Sequence, residues 1–320
     1  MGMAPKNGGN PQDRLRDAMN ERVSGDAPAQ AWPALPLEEW AETYHTLHMW
    51  LQMVGKIRLQ QTAKQNHWWN SALYVTSRGL TTSLMPYGND GFEIQLDFVD
   101  HRLNILTSDR VGSTMKLAAK SVRAFYRELM AALDGCGISV AMNTKPQEVA
   151  DPIPFEQDDK HASYDPEYAN RFWRILVSTK LVLDVFRTRF IGKASPIHFF
   201  WGSFDMAYTR FSGRRAPVRK GVISSEAYSH ECSSVGWWPG GGDVKGPAFY
   251  AYMAPEPRGY SEQRVQPEAA FYDSQIREFI LMYEDVRRSS SPDAGLLTFF
   301  QSAYEAGAGL AMWDRASLER

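Results

Sequence analysis

The sequence is poor in cysteine and contains no long apolar run. Its two cysteines, Cys136 and Cys232, are too few for a disulfide framework, and without a CxxC pair they do not predict a cysteine zinc site. No run of about 18 apolar residues occurs, and no basic segment leads into an apolar one near the first residue, so we expect neither a membrane span nor a signal peptide. Together these absences indicate a cytoplasmic protein with no membrane partner.

An excess of basic charge is also missing, as are the common cofactor motifs. The formal net charge is -2 at pH 7, whereas binding to a phosphate backbone requires a concentrated basic surface, so nucleic acid is not an expected partner. Neither GxGxxG nor GxxxxGK[ST] occurs, which argues against a nucleotide cofactor. HExxH and GxSxG are absent too. The sequence therefore does not predict the enzyme classes that depend on these motifs.

The order of the apolar patterns predicts an α+β fold made of two similar halves. Each half has the pattern of a helix, a set of antiparallel strands and a second helix. Residues 1–30 are polar and rich in Gly, so we expect a disordered leader there, followed by a first half over 31–150. A Pro-rich acidic connection covers 151–165, and the second half covers 166–320.

The two halves also share a spacing of polar residues, which indicates an internal duplication. The first half contains Val-Gly-Lys, His, Arg, Glu and a further polar residue, and the second half nearly repeats their order and spacing. The matched sets are 54–56, His67, Arg78, Glu93 and Asp97 in the first half, and 191–193, His198, Arg210, Glu226 and His230 in the second. A duplication with pseudo-twofold symmetry would direct both sets towards one cleft.

The most informative stretch is 192–217, where ionisable side chains lie within an aromatic run. An unpaired buried polar group costs about 1 to 3 kcal/mol, so this stretch indicates either internal pairing or a ligand site. A period of two places His198 and Arg210 on one strand face and Asp205 on the other. A helix with His198 and Asp205 in one stripe is the alternative, but Gly202 and the aromatic content favour a strand.

Several longer motifs resemble a bacterial family that is catalogued only as a domain of unknown function. They include Asn-His-Trp-Trp at 66–69, the Gly-Lys-Ala-Ser-Pro and Thr-Arg-Phe-Ser-Gly-Arg segments within 192–217, and Glu-Ala-Tyr-Ser-His-Glu at 226–231. The resemblance extends over 32–320, although the family usually has Phe where Trp237 stands. It implies no activity, because none is attached to the family.

One hypothesis for the chemistry is a catalytic metal site. His198, Glu226 and His230 are side chains of the type that bind Zn or Fe, and Glu231 or His67 would complete the set. On a helix, Glu226 and His230 would share a face, whereas on a strand they would lie about 13 Å apart. The metal hypothesis therefore depends on the local secondary structure.

A second hypothesis is acid/base catalysis without a metal. His198 or His230 would act as the base, and Glu226, Asp205 or Glu231 would orient it. Because Arg side chains bind carboxylates and phosphates through two hydrogen bonds, we expect a substrate with an acid group. The binding residues predicted on this basis are Arg210, Arg214, His67, Arg78, Trp69, Trp201 and Trp238.

These residues predict a small-molecule enzyme or, alternatively, a protein that binds a small molecule without catalysis. As an enzyme, it would act on an acid-bearing substrate by acid/base or metal-assisted chemistry in an aromatic-lined pocket. A structural role is the third interpretation, in which Arg210 pairs with Glu226 across neighbouring strands and the histidines are satisfied core residues. The contacts of Arg210 distinguish the structural role from the other two interpretations.

Overall fold

The fold combines helices with two antiparallel sheets. A computed structural model of the chain describes residues 31–109, 111–242 and 244–320, so the predicted leader, 1–30, lies outside the described residues. The mixture of helices and antiparallel strands confirms the predicted α+β class. Among the described helices, none combines the length and the apolar character needed to span a bilayer.

The helices of the described residues include four long ones, as the predicted pattern of two helices in each half requires. Their bounds are α1 (Leu37–Gln61), α2 (Val122–Gly135), α3 (Pro166–Arg187) and α6 (Pro292–Leu310), and the short helices are α4 (Val222–Ala227), α5 (Tyr283–Arg288) and α7 (Arg315–Leu318). The start of α3 shows why it forms there. The Asp165 carboxylate accepts hydrogen bonds from the backbone N–H groups of Glu167 and Tyr168, at 2.8 and 3.2 Å, and Pro166 occupies the first turn.

The first sheet belongs to the N-terminal part of the described chain. Its strands are β1 (Tyr74–Val75), β2 (Gly79–Thr81), β3 (Met85–Tyr87), β4 (Asp90–Asp97), β5 (Arg102–Thr107) and β6 (Ser113–Lys116). The order is β1-β2-β4-β5-β6, and β3 pairs with the beginning of β4.

The second sheet carries most of the sequence-predicted site residues. Its strands are β7 (His198–Phe200), β8 (Asp205–Arg215), β9 (His230–Trp238), β10 (Ala248–Ala254), β11 (Phe271–Asp273) and β12 (Glu278–Met282), in the order β11-β12-β10-β9-β8-β7. The strand interpretation of 192–217 is therefore confirmed.

The face assignment within that stretch is wrong, because the run is a hairpin and not one continuous strand. Residues 201–204 form a tight turn, so Phe200 pairs with Asp205 and His198 pairs with Ala207. Directly opposed residues of paired strands point to the same face. The hairpin therefore places His198 and Asp205 on one face of the sheet and Arg210 on the other, opposite to the prediction.

Both sheets contribute to one hydrophobic core. Phe172 of α3 contacts aromatic residues from both parts of this core, with its ring centroid 6.1 Å from that of Phe98, directly after β4, and 5.7 Å from that of Trp237 in β9. Trp50 of α1 stacks on Phe125 of α2 at 4.3 Å. The predicted connection, 151–165, contributes Phe155 and Tyr164 to the same core.

The structure does not show the predicted internal duplication. Residues 54–56 lie inside α1, whereas their matched residues, 191–193, follow the end of α3. His67 lies in a 3₁₀ turn, Asn66–Ser71, whereas His198 lies in β7. Since matched residues stand in different elements, the similar spacing does not reflect a shared local fold.

Replacing Phe172 with Ala should test the central role of this ring. The ring is fully buried, and removal of a buried Phe leaves a cavity that typically costs about 3 to 5 kcal/mol. We expect a loss of this size in the free energy of unfolding, measured by urea denaturation. The control is Leu84→Ala, because Leu84 is 70% exposed and should change stability by less than about 0.5 kcal/mol. Equal effects of the two changes would contradict the proposed core.

Candidate functional site

Arg210 is a structural residue of the core. Its side chain is 1% exposed, its guanidinium carbon lies 3.5 Å from the ring centroid of Phe186 and 4.3 Å from that of Tyr304, and it donates a 2.5 Å hydrogen bond to the Phe186 carbonyl. Glu226 instead pairs with Lys64 at 2.5 Å. The predicted ion pair between Arg210 and Glu226 is therefore wrong, and Arg210 is held by aromatic faces and a carbonyl.

The other predicted arginines are paired at separate places. Arg214 binds Glu231 at 2.6 Å and also donates to the carbonyl of Ala311. Arg78 binds Asp97 at 2.5 Å on the first sheet and Asp100 at 2.8 Å. The structure therefore does not bring Arg78, Arg210 and Arg214 together as one anion clamp.

The three proposed metal ligands do not form one group. The ring of Trp69 lies 6.4 Å from His198 and 5.1 Å from His67, and His67 lies 5.8 Å from His230. His198 and His230 themselves do not form a ring contact among the described residues. Glu226 is engaged with Lys64. Within the part of the chain that the structure describes, no group of three or more His, Cys, Asp or Glu side chains is placed to hold a metal ion.

Two predicted aromatic residues have packing roles. Trp201 donates its indole N–H to the Ser71 carbonyl at 2.8 Å and packs so closely on Gly55 that a Cβ there would lie 2.1 Å from the indole ring. Only glycine therefore fits at Gly55. Trp238 packs against a small cluster that contains Val244 and Tyr250.

The structure does bring together a group of polar and aromatic residues at one edge of the second sheet. We call it the Lys193 cluster, and its members are His67, Trp69, Lys193, Phe211 and His230. Lys193 Nζ lies 2.7 Å from His67 Nε2, 4.9 Å from the Phe211 centroid and 5.7 Å from the Trp69 centroid. The His67 ring stacks on Phe211 at 4.5 Å. His67, His230 and Trp69 belonged to the predicted site, whereas Lys193 and Phe211 were missed.

Backbone strain marks the turn that presents this cluster. His67 and Trp68 both have left-handed backbone conformations, with φ values of 56° and 62°. Such conformations cost about 1 to 3 kcal/mol for a residue other than glycine and occur preferentially at functional sites. Contacts on both sides hold the turn, since His67 Nδ1 lies 3.1 Å from the Ala227 carbonyl and Lys64 lies over the Trp68 ring.

The hydrogen bonds of His67 define its protonation state. A lysine ammonium donates only, so His67 Nε2 accepts from Lys193 and its Nδ1–H donates to the Ala227 carbonyl. Burial lowers the pKa of His67, and repulsion from Lys193 and His230 lowers it further, which favours this neutral form. Burial also lowers the pKa of Lys193.

The Lys193 cluster has unbalanced positive charge. Lys193 is exposed, and among the described residues it makes no ion pair with a carboxylate. Burial first, and then Lys193 and Arg215, lower the pKa of His230, so the local field disfavours additional positive charge. This arrangement can attract an anion, and His67 is placed to exchange a proton with it.

A second polar region on the same sheet contains two acids, of which Asp205 is buried and Glu278 is partly buried. Asp205 accepts a 2.5 Å hydrogen bond from the Tyr250 hydroxyl, and burial raises the pKa of Asp205. Burial, with repulsion from Asp205 and Asp273, raises the pKa of Glu278 to about 8. Asp205 belonged to the predicted site, whereas Glu278 did not, because nothing in the alternation of β12 marks its carboxyl as partly buried.

Comparison with known families gives one match. The model of "Family of unknown function (DUF5996)" matches residues 32–320. No curated protein matches the chain, and no solved structure matches it.

Glu278 predicts a specific dependence of stability on pH. Because its pKa is raised in the folded state, the unfolded chain releases this proton first as pH rises above about 4.5. This contribution to stability is therefore present at low pH and is lost as pH rises through about 8, by at most about 1.4 kcal/mol per pH unit.

Urea unfolding of Glu278→Gln and of the parent at pH 5 and pH 8 measures this contribution. We expect the variant to lose less stability than the parent between the two values. The exposed Glu268→Gln change is the control and should reproduce the parent. A parent and a Glu278→Gln variant with the same pH dependence would contradict the assignment.

Proposed function

The chain belongs to this family of unknown function, and we propose from the site itself that the Lys193 cluster binds a small molecule that carries an acid group. The observation that carries the proposal is the contact of Lys193 with His67, in which Nζ lies 2.7 Å from Nε2. Among the described residues, no carboxylate pairs with Lys193. A cation that has only a neutral imidazole as hydrogen-bond partner favours an anionic ligand. The acid group would bind to the ammonium.

The aromatic members of the cluster suit the rest of such a ligand. Trp69 is half-buried and Phe211 is buried, and both have the Lys193 ammonium near their ring faces. An apolar or aromatic body next to the acid group would contact the Trp69 ring and lose water on binding. We therefore propose an aromatic or apolar carboxylic acid, or a phosphate of similar shape, as the ligand class.

The same geometry supports acid/base catalysis. When the acid group of a ligand draws the Lys193 ammonium away, His67 Nε2 loses its donor and becomes available to accept a proton from the ligand. The Ala227 carbonyl keeps the ring oriented through Nδ1–H. We therefore propose His67 as the general base of an acid/base enzyme, in place of His198 or His230.

A non-catalytic binding protein is the second candidate. Glu226 and Glu231 were predicted to orient a catalytic base, but they form ion pairs with Lys64 and Arg214. This arrangement favours a protein that binds without catalysis. Within the described part of the chain, His67 is hydrogen-bonded to Lys193 and to a carbonyl, and to no carboxylate. Binding and catalysis therefore need separate experiments.

Binding is tested with benzoate and with benzyl alcohol, which has the same ring but no acid group. We expect benzoate to stabilise the parent, by about 2.7 kcal/mol at 100 times its dissociation constant. Lys193→Met should weaken benzoate binding at least about tenfold, measured by calorimetry, because the ammonium donor is removed. The control Lys116→Met removes an exposed lysine from β6 and should bind as the parent does. Equal binding of benzoate and benzyl alcohol would contradict the proposal.

Catalysis is tested by incubating acid-bearing ligands with the protein in D₂O and following their carbon-bound protons by NMR. A general base at His67 should catalyse exchange or turnover of at least one ligand. His67→Gln should retain ligand binding within about threefold and lose this activity, because Gln still donates a hydrogen bond but does not exchange a proton. Activity that persists in His67→Gln would exclude His67 as the base, and the absence of activity towards every bound ligand would favour the binding protein.

A further inference from the structure

His198 is a buried histidine in the interior of the protein. Its side chain is 1% exposed, and neither Nδ1 nor Nε2 has a hydrogen-bond partner in the part of the chain that the structure describes. The neighbouring rings are those of Phe200 at 4.5 Å, and of Trp69 and Tyr74, each at 6.4 Å. An imidazole buried without hydrogen bonds is unfavourable for folding, and a Phe of similar shape would avoid this cost. The presence of histidine here therefore requires a partner for its ring nitrogens.

Arg58 of α1 also lies beside Tyr74, and its hydrogen-bonding groups are incompletely satisfied within the described part of the chain. Its side chain is 6% exposed, its guanidinium carbon lies 5.4 Å from the Tyr74 centroid, and one N–H donates to the Thr82 carbonyl. Its Nε–H has no hydrogen-bond partner within 31–109, 111–242 and 244–320. Among the described residues, no carboxylate forms an ion pair with Arg58.

Arg58 has fewer aromatic neighbours than Arg210, the other deeply buried arginine of the described residues. The Nε–H of Arg210 likewise has no partner among the described residues, but aromatic rings surround its guanidinium, including Phe186 at 3.5 Å and Tyr304 at 4.3 Å. Arg58 has one ring, Tyr74, at the longer distance of 5.4 Å. A buried cation without a counter-charge is strongly unfavourable. The surroundings of Arg58 therefore favour the binding of an anion.

We propose that Arg58, Tyr74 and His198 form an interior site for the oxyanion of a small ligand, a carboxylate or a phosphate. The oxyanion accepts hydrogen bonds from Arg58 Nε–H and from one ring N–H of His198. The neighbouring side chains of Trp69 and Tyr74 are partly exposed. The site uses other polar groups than the Lys193 cluster, and it does not depend on the function proposed for that cluster.

The neutral state of His198 agrees with this role. Burial, together with repulsion from Arg58, lowers the pKa of His198 to about 3, so the ring has one N–H and one lone pair at neutral pH. Arg58 then supplies the positive charge, and His198 supplies a directional donor. The remaining ring nitrogen can accept a hydrogen bond from a hydroxyl of the ligand or from a water molecule.

The site is tested by thermal unfolding of the whole chain in acetate and in phosphate. A bulky sulfonate salt keeps the ionic strength constant as the concentration of each anion is varied. We expect the melting temperature of the parent to rise with the concentration of at least one of these anions, and the comparison of the two distinguishes a carboxylate from a phosphate ligand. His198→Phe should leave the anion-free protein at least as stable as the parent. The same change should raise the half-maximal anion concentration at least about tenfold.

Two further variants keep the test decisive. Arg58→Lys retains the charge but removes Nε–H and should also weaken the anion response, whereas Lys116→Met, which removes an exposed lysine from β6, should leave it unchanged. A parent that does not respond, or a His198→Phe variant that responds as the parent does, overturns the interior site and identifies His198 as a water-satisfied core residue. A response that Lys193→Met abolishes and His198→Phe retains assigns the anion to the Lys193 cluster. In that case the interior site is wrong while the proposed function stands.

If His198→Phe does not fold, NMR of the histidine ring nitrogens in the parent gives a separate answer. Binding of an oxyanion to a ring N–H should shift the His198 nitrogen signals as the anion is added. If the His198 signals do not move at an anion concentration that gives the full rise in melting temperature, the proposal is wrong.

Discussion

Two hydrogen bonds between Leu73 and Phe199 join the two sheets and position the side chains of the candidate site. The Leu73 N–H donates to the Phe199 carbonyl at 2.9 Å, and the Phe199 N–H donates to the Leu73 carbonyl at 2.8 Å. Trp201 adds a third connection through its 2.8 Å hydrogen bond to the Ser71 carbonyl. The 3₁₀ turn that carries His67 and Trp69 ends at Ser71, so these bonds place both rings against β7 and β8.

The interior of this protein separates buried charges instead of pairing them. Lys56, Arg58 and Arg210 are nearly fully buried, and each donates to a backbone carbonyl, of Lys145, Thr82 and Phe186 respectively. The buried acids lie elsewhere, and burial raises the pKa values of Asp205 and Glu278. Ionised groups in such surroundings are sensitive to any ligand that brings an opposite charge. An anionic ligand would therefore gain the most binding free energy at the uncompensated cations Arg58 and Lys193.

Much of the fold could be predicted from periodicity. The long helices α1 and α3 and the strands of the second sheet follow from apolar spacing and from the start signals at Asp165 and Pro166. The hairpin turn at 201–204 could not, because both arms consist of aromatic and β-forming residues, so the alternation looks continuous. A turn of this kind changes which residues share a face, and the predicted positions of Asp205 and Arg210 were therefore interchanged.

The sequence by itself determined the fold class, the family and the residue types available for chemistry, because these depend on local patterns and composition. Only the tertiary structure decided which residues meet. It placed Arg210 between Phe186 and Tyr304, and it brought Lys193 to His67, 126 residues away in the chain. Spacing along a chain carries no information about such contacts, since they depend on how two sheets and a strained turn pack together. The pairing of charges, and with it the site, is for the same reason a property of the folded protein alone.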